Sequence, residues 1–133
     1  MRINTICLCG STRFLTDFEE ANIELTKRGF SIITISMTLP KNEQGRQEDQ
    51  ALKELLDLVH LNKILRADAV FVVGDGYIGF STAREILWAD MQGKVVITQA
   101  HTVDWPVAAR SLEQGFTSPS IIGQAKKVLQ EKG

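Results

Sequence analysis

Two loops of this sequence hold residue types that suit chemistry at an anion, and the first is Cys9-Gly10-Ser11-Thr12-Arg13. Gly10 lets the backbone turn tightly, and Ser11 can either cap a following helix or bond an anion. Arg13 can clamp a phosphate with its planar guanidinium group. The alternative interpretation is a capped helix with an arginine in solvent, and the spacing alone favours neither. The loop lacks the Gly-Lys-Ser/Thr ending of a Walker loop and the Gly-x-Gly-x-x-Gly of a dinucleotide fold.

The second loop follows an apolar run of strand length and leads into a helix. Gly74-Asp75-Gly76 ends the run, and Gly79 precedes Ser81 and Thr82. Either of these hydroxyl residues can N-cap the helix that carries Glu85. Backbone N–H groups at a helix start bind phosphate, and the helix dipole favours an anion there. A strand-to-helix turn of an open parallel sheet also lies at the edge where ligands bind.

Three residues of this second loop and its helix have two interpretations each. Thr82-x-x-Glu85 matches a capping box, but a carboxylate there is also suited to attack a sugar carbon in glycosyl transfer. In the first turn of a helix the dipole would keep Glu85 ionised at neutral pH. Asp75 can meet a substrate or only make a turn. Tyr77 can stack on a base or cover the loop.

A histidine interrupts the apolar stripe of the helix that precedes this loop. His60 shares one helix face with Leu56 and Ile64, since residues four apart lie on the same face. A lone histidine in such a stripe is more often a satisfied core residue than a catalyst. Asp57 lies one turn earlier and is spaced to partner His60, and Lys53 is spaced to pair with Asp57.

Strands alternate with helices along the chain, which predicts an α/β fold with a parallel sheet of four to five strands. The predicted strands are Ile3–Cys9, Phe30–Met37, Ala69–Val73 and Lys94–Thr98. Five helices are predicted. The first follows Gly10-Ser11 and stops at Gly29, the second runs from Gln50 to Arg66, and the third carries Glu85 and ends at Gly93. The fourth begins at Asp104-Trp105-Pro106, and the fifth runs roughly from Ile121 to Lys132 after a break at Ser118-Pro119-Ser120. Residues 39–50 are predicted to form a polar loop. No repeat or linker divides residues 1–133, so we expect a single domain.

Composition limits the function classes. The 133 residues are 44% hydrophobic, and 15 basic against 16 acidic residues leave a net charge of −1, with no basic stripe for a nucleic-acid polymer. The sequence shows neither a signal-peptide layout nor an apolar run long enough for a membrane. Cys7 and Cys9 point the same way on one strand, where a disulfide is sterically disfavoured, and two thiols without further ligands make a poor metal site. We expect a reduced, cytoplasmic protein.

Several of these segments resemble one family, the nucleoside 2-deoxyribosyltransferase-like superfamily, which includes the deoxynucleoside 5′-monophosphate N-glycosidases. Residues 9–13 resemble the glycosidases' Cys-Gly-Ser-x-Arg phosphate loop, and Ala67-Asp68-Ala69-Val70 resembles the family's Ala-Asp-hydrophobic strand entry. Residues 81–89, followed by Gly93-Lys94, are similar to its small-residue and Glu-Leu-Gly-Tyr-Ala segment. The similarity is greatest to uncharacterised members that carry Gly-Tyr-Ile-Gly-x-Ser-Thr-x-x-Glu, here residues 76–85.

The resemblance implies a Rossmann-like, three-layer α/β/α domain that forms a homodimer or larger homo-oligomer and uses no metal and no redox cofactor. It also implies that Glu85 attacks the anomeric carbon of a (deoxy)ribosyl group, while Ser11, Arg13 and Ser81 hold a 5′-phosphate. This sequence departs from the family at one position. The family has an aspartate in the preceding helix that assists the leaving base, and an ungapped count back from Asp68 places His60 at that position. An imidazole can also donate a proton to a base.

Three functions follow, in order of preference. The first is an N-glycosidase or deoxyribosyltransferase that cleaves the base–sugar bond of a nucleoside or nucleoside 5′-monophosphate, with hydrolysis of a monophosphate favoured by the phosphate loop. The second is a non-catalytic module that binds or senses a nucleotide with the same pocket. The third is a structural domain in which the motifs are only caps and turns.

Overall fold

A computed structural model describes residues 2–35, 50–101 and 104–132. Its strands form one parallel sheet in the order β2-β1-β3-β4. The strands are β1 Thr5–Cys9, β2 Ser31–Ile33, β3 Ala69–Val72 and β4 Val95–Thr98. After β1 the chain adds β2 at one edge of that strand, and it then crosses back to place β3 and β4 beyond the other edge. The direction in which strands are added therefore reverses between β1 and β3. In open α/β sheets, ligands bind at the carboxyl ends of the strands beside such a reversal.

Within the described residues, five α-helices cover the two faces of the sheet. They are α1 Leu15–Lys27, α2 Gln50–Arg66, α3 Phe80–Met91, α4 Trp105–Gln114 and α5 Pro119–Lys132. Short 3-10 turns lie at Thr12–Phe14 and Gln99–His101. The result is the predicted three-layer α/β/α arrangement of the Rossmann type. No helix in these described segments has both the length and the apolar character needed to cross a membrane.

Side chains of the central strands point alternately to the two faces of the sheet and form two hydrophobic cores, one on each face. Ile6, Leu8 and Phe71 face one way and pack with apolar residues of α1 and α4, including Leu25 and Leu112. The intervening residues face the other way and pack against α2, α3 and α5; they include Cys7, Cys9, Val70 and Val72. Because both faces are covered, the strands are apolar at successive positions instead of every second one. Every residue of β3 and β4 is buried for this reason.

Several element boundaries differ from the sequence prediction, and three of the differences are larger than a frayed end or change the interpretation. Strand β2 ends at Ile33 rather than Met37, and the predicted loop over residues 39–50 lies almost wholly outside the described residues. Helix α1 begins at Leu15, because the 3-10 turn precedes it. The chain breaks before α5 as predicted, but α5 begins at Pro119 rather than Ile121, so Pro119 and Ser120 belong to the helix. Proline suits a first helical position because its missing N–H has no partner to lose there.

Asp68 explains why an Ala-Asp dipeptide opens β3. Its carboxylate oxygen Oδ2 accepts hydrogen bonds from the backbone N–H groups of Asn4, at 2.8 Å, and Thr5, at 3.0 Å. These groups lie at the start of β1, so one side chain joins the beginnings of the two central strands. The bonds from Thr5 and then Asn4 lower the pKa of Asp68 below its usual value.

We expect Asp68→Ala to lower the free energy of unfolding by about 1–2 kcal/mol near neutral pH, the lower part of the range for charged hydrogen bonds because the group is partly exposed. A depressed folded pKa stabilises the protein above the unfolded pKa, roughly 3.9, and this contribution is lost as pH falls through the folded value. Urea unfolding at about pH 7 and about pH 3 should therefore show the difference shrinking in acid. A difference that stays constant, or equals that of the exposed Asp90→Ala control, would contradict this role.

Candidate active site

The two loops singled out in the sequence meet at the carboxyl ends of the adjacent strands β1 and β3. The guanidinium carbon of Arg13 lies 3.8 Å from the centroid of the Tyr77 ring, a cation–π contact between the loops. Ser11 Oγ accepts a hydrogen bond from Arg13 N at 3.3 Å, so this hydroxyl caps the 3-10 turn. Tyr77 therefore covers the first loop with its ring, and Arg13 lies on that ring with an exposed side chain.

Glycines permit this close approach of the loops. Gly10 has φ +146°, and a Cβ placed there would lie 2.8 Å from Cγ2 of Val73. Gly74 has φ +110°, and a Cβ there would lie 2.6 Å from the ring of Phe14, which belongs to the 3-10 turn. Both positions therefore combine a backbone conformation that favours glycine with a lack of room for any side chain.

Further hydrogen bonds fix the second loop. Asp75 Oδ1 accepts from Tyr77 N at 3.2 Å, which is the turn-making role for this carboxylate. Gly74 N donates to Gln99 Oε1 at 2.8 Å. The side-chain amide of Gln124, in α5, donates to Gly76 O at 2.8 Å. The loop is thus held from both sides, by the segment after β4 and by α5.

The start of α3 corrects two predictions. The N-cap is Gly79, not Ser81 or Thr82, and it makes no side-chain cap hydrogen bond. Glu85 is consequently in the second turn, too far along the helix to serve as the acidic partner in a capping box, and the capping-box interpretation is wrong. Thr82 is buried at 4% exposure. Ile78 and Ala83, which flank the first turn of α3, are both buried, and their burial fixes a helix start that precedes the hydroxyl residues.

Glu85 and His60 form a close pair between α3 and α2. Glu85 Oε1 lies 3.8 Å from His60 Nε2, and the two side chains are only 12% and 9% exposed. Helix α2 places His60 by burying it together with Ile64, as the stripe predicted. Trp88, one turn after Glu85 on α3, donates from its indole N–H to Leu61 O at 3.1 Å and so fixes the two helices against each other.

The other neighbours of His60 are thiols. Its Nε2 lies 3.4 Å from Cys9 Sγ and 3.8 Å from Cys7 Sγ. Both cysteines are free and completely buried. Lys53 Nζ contacts Asp57 Oδ2 at 3.3 Å as predicted, whereas no hydrogen bond between Asp57 and His60 is found in the described part of the chain. The predicted Asp57–His60 pair is therefore replaced by a Cys7–Cys9–His60 cluster, and the expectation of two thiols without a further ligand is wrong.

These contacts shift four ionisation equilibria. Burial raises the pKa of Glu85 to about 7, although the charge of His60 opposes the rise. Burial lowers the pKa of His60, but the Cys7 thiol and the charge of Glu85 more than compensate, so its pKa is raised. Hydrogen bonding with Cys9 lowers the pKa of Cys7 to about 6, and burial raises that of Cys9. The helix position predicts a fully ionised Glu85, whereas desolvation outweighs the helix dipole and raises the pKa of this carboxyl.

Glu85 reaches a small surface pocket between α2 and α3. The lining residues are Asp57, Leu61, Ser81, Arg84 and Glu85. Three residues predicted from the sequence, Asp57, Ser81 and Glu85, are thus brought together. Arg84 was not predicted, because a charged residue on an exposed helix face is ordinarily only solvated.

The sequence pattern of Cys7 and Cys9 favoured core thiols, although their alternation on one strand face did show that both point the same way.

Comparison with known proteins assigns the fold. No protein-family model matches the sequence, and no curated protein matches it either. The solved 2-deoxyribosyltransferase of the psychrotolerant bacterium Bacillus psychrosaccharolyticus is similar over 79% of this chain and 80% of its own, with a TM-score of 0.55 and 21% identity. A CMP N-glycosidase from Clostridium botulinum aligns over 94% of this chain and 98% of its own, with a TM-score of 0.49 and 15% identity. The likeness to the 2-deoxyribosyltransferase structure shows that this chain has the same fold.

Proposed function

We propose that this protein cleaves the base–sugar bond of a nucleoside or nucleoside 5′-monophosphate, with Glu85 as the nucleophile. The observation that carries the proposal is the buried carboxylate–imidazole pair of Glu85 and His60, 3.8 Å apart, of which Glu85 lines a surface pocket between α2 and α3. The likeness of the fold to a 2-deoxyribosyltransferase supports the substrate class. The structural-domain hypothesis accounts poorly for a buried carboxyl that takes no part in capping the helix.

In the proposed reaction, an oxygen of Glu85 attacks the anomeric carbon as the bond to the base breaks. His60 Nε2, when protonated, donates its proton to the departing base. Water then attacks the anomeric carbon of the glycosyl ester and passes one proton to the neutral His60, which releases the sugar and restores both the Glu85 carboxylate and the imidazolium; a second base in place of water would give transfer. The raised pKa of His60 supports the donor role, because a general acid must carry its proton near working pH.

The phosphate end of the substrate is assigned to the first loop. Ser11 and Arg13 lie at the end of β1, and Ser81 lies beside Glu85 in the pocket lining. Gly10 and Gly79 would let the backbone approach the substrate at the ends of the two loops. Tyr77 would stack on the base or ribose once Arg13 leaves its ring for the phosphate. The homo-oligomer and the cytoplasmic location stay predictions.

Arg13→Ala should weaken binding of a nucleoside monophosphate by about 1.5–3 kcal/mol, the scale of a charge-assisted hydrogen bond. Arg13→Lys should recover only part of this, because a point charge replaces the planar fork. Isothermal titration with matched nucleoside and nucleotide checks both statements. Equal affinity of the unaltered protein for the two ligands would contradict a phosphate-binding role for this loop.

The function itself is tested by incubating the protein with ribo- and deoxyribonucleosides and their 5′-monophosphates, followed by chromatography for free base. Release of base from at least one compound is expected. Thermal stabilisation by a ligand that is not cleaved would instead favour the nucleotide-binding module, since a ligand at about 100 times its Kd adds roughly 2.7 kcal/mol. Neither release nor stabilisation across the panel would contradict both functions.

A further inference from the structure

Three potential metal ligands converge in the core beneath the Glu85 pocket. Cys7 and Cys9 come from one face of β1, and His60 comes from the facing side of α2. Their Sγ and Nε2 atoms all lie within 4.8 Å of one another, and all three residues are buried. Strand alternation fixes the two thiols on the same side, and the buried stripe of α2 turns the imidazole toward them.

The separations match those that a tetrahedral zinc ion imposes. Zn–S bonds of about 2.3 Å and Zn–N bonds of about 2.0–2.1 Å at tetrahedral angles place S and N about 3.6 Å apart, and two S atoms about 3.8 Å apart. The observed Nε2–Sγ distances are 3.4 Å for Cys9 and 3.8 Å for Cys7. An ion at the centre of the cluster therefore requires shifts of only a few tenths of an ångström along these two contacts.

The hydrogen-bonding capacity of the imidazole gives a second reason. A single nitrogen, His60 Nε2, faces Cys7, Cys9 and the Glu85 carboxylate. Nε2 carries either one proton or one lone pair, so it can make one good hydrogen bond and not three. A cation bound by the Nε2 lone pair and by both sulfurs satisfies the imidazole nitrogen and the two cysteines at the same time.

We propose that Cys7, Cys9 and His60 form a zinc-binding site whose fourth position faces Glu85. Two thiolates with one imidazole select a soft or borderline ion, and Zn²⁺ accepts tetrahedral coordination by this donor set. Three protein ligands with an open fourth position are the pattern of reactive rather than purely structural zinc sites. A water molecule would complete the coordination beside the Glu85 carboxylate. Binding requires both sulfurs and His60 Nε2 in their deprotonated forms, so the protons that these groups still carry are released to solvent.

Metal binding is measured on the full chain, reduced and stripped with a chelator. Zn²⁺ should bind at one ion per chain in competition with a chromophoric chelator. Co²⁺ should produce thiolate-to-cobalt charge-transfer absorption together with the intense visible bands of tetrahedral coordination. This spectroscopic test uses the unaltered protein, so it does not depend on whether a variant folds. Failure of either ion to bind, or binding of Co²⁺ without thiolate absorption, would overturn the site.

Variants then assign the ligands. Cys7→Ser, Cys9→Ser and His60→Gln should each lower zinc affinity by more than about 100-fold, beyond the 10–100-fold cost of losing a group that only supports a ligand. Asp57→Asn is the matched control, because Asp57 lines the pocket beside Glu85 without contacting the cluster, and it should bind zinc like the parent. Equal affinity in Cys7→Ser and the control would rule out the proposed ligand set.

Zinc and the proposed glycosidase chemistry compete for His60. A coordinated Nε2 has no proton to give a leaving base. This expectation rests on the function proposed above: zinc-loaded protein should release base more slowly than protein stripped of metal with a chelator. The metal titrations contain no nucleotide, so they can succeed or fail whether or not base release is ever observed. Faster base release with zinc would overturn the competition while leaving the binding result intact.

Discussion

Glu85→Gln should reduce base release by at least about 10²-fold, the lower end of what one positioned acid or base contributes, because an amide is a far poorer nucleophile than a carboxylate. The fold should survive the change. Glu85 is largely buried and takes no part in capping α3, and glutamine removes a buried charge rather than adding one. We therefore expect the free energy of unfolding to change by no more than about 1 kcal/mol.

The matched control is Glu113→Gln, the same chemical change at an exposed position of α4. It should leave both turnover and the unfolding midpoint unchanged. Turnover is measured by initial rates of base release, and stability by urea unfolding of the same preparations. Retention of most activity by Glu85→Gln would remove Glu85 as the nucleophile, even if the reaction itself is confirmed.

Gly74→Ala should destabilise the protein strongly, lowering the free energy of unfolding by about 2–6 kcal/mol, because two separate costs add at this position. Alanine at a positive φ already costs of order 1–3 kcal/mol. The added Cβ would also lie 2.6 and 2.7 Å from two carbons of the Phe14 ring. Displacing that ring is a form of overpacking, which adds typically about 1–3 kcal/mol. Urea unfolding monitored by circular dichroism measures the sum.

Gly29→Ala separates the two contributions. Gly29 has φ +94°, close to the +110° of Gly74, but nothing lies within 4 Å of a Cβ placed there. It should therefore show the backbone cost alone. The double variant Gly74→Ala, Phe14→Leu should regain part of the loss, because the smaller side chain can yield. Equal costs at the two glycines would show that the contact with Phe14 contributes nothing.

Much of the fold could be predicted because its signals are local. Buried parallel strands such as Ala69–Val72 are continuous apolar runs, and Asp104, which accepts from Val107 N at 2.9 Å, is an ordinary N-cap that sequence reveals. The start of α3 was missed because capping propensity competed with burial of Ile78 and Ala83, and burial decided the register. The end of β2 was missed because isoleucine and threonine continue past Ile33, while pairing with β1 stops at Cys7.

The candidate site was predictable only as far as single segments allowed. Both loops and Glu85 were found from glycine spacing and resemblance, but the partner of His60 was sought on its own helix, at Asp57. The actual partners, Cys7 and Cys9, are more than fifty residues away in the sequence. They meet His60 because α2 packs on the face of the sheet toward which both cysteines point. The raised pKa of Glu85 depends on that same packing, so helix position alone predicted the wrong direction for its pKa shift.

The hydrogen bond from the side-chain amide of Gln124 to Gly76 O joins α5 to the glycine loop at the carboxyl end of β3, where the proposed substrate would lie. Chain truncations and carboxyl-terminal fusions, often treated as neutral in expression work, should therefore alter the glycine loop after β3. Helix α5 also packs against α3, the helix that carries Glu85, through Ile121 and Ala125. A library that diversifies α5 would in effect sample substrate preference, although none of its residues lines the pocket at Glu85.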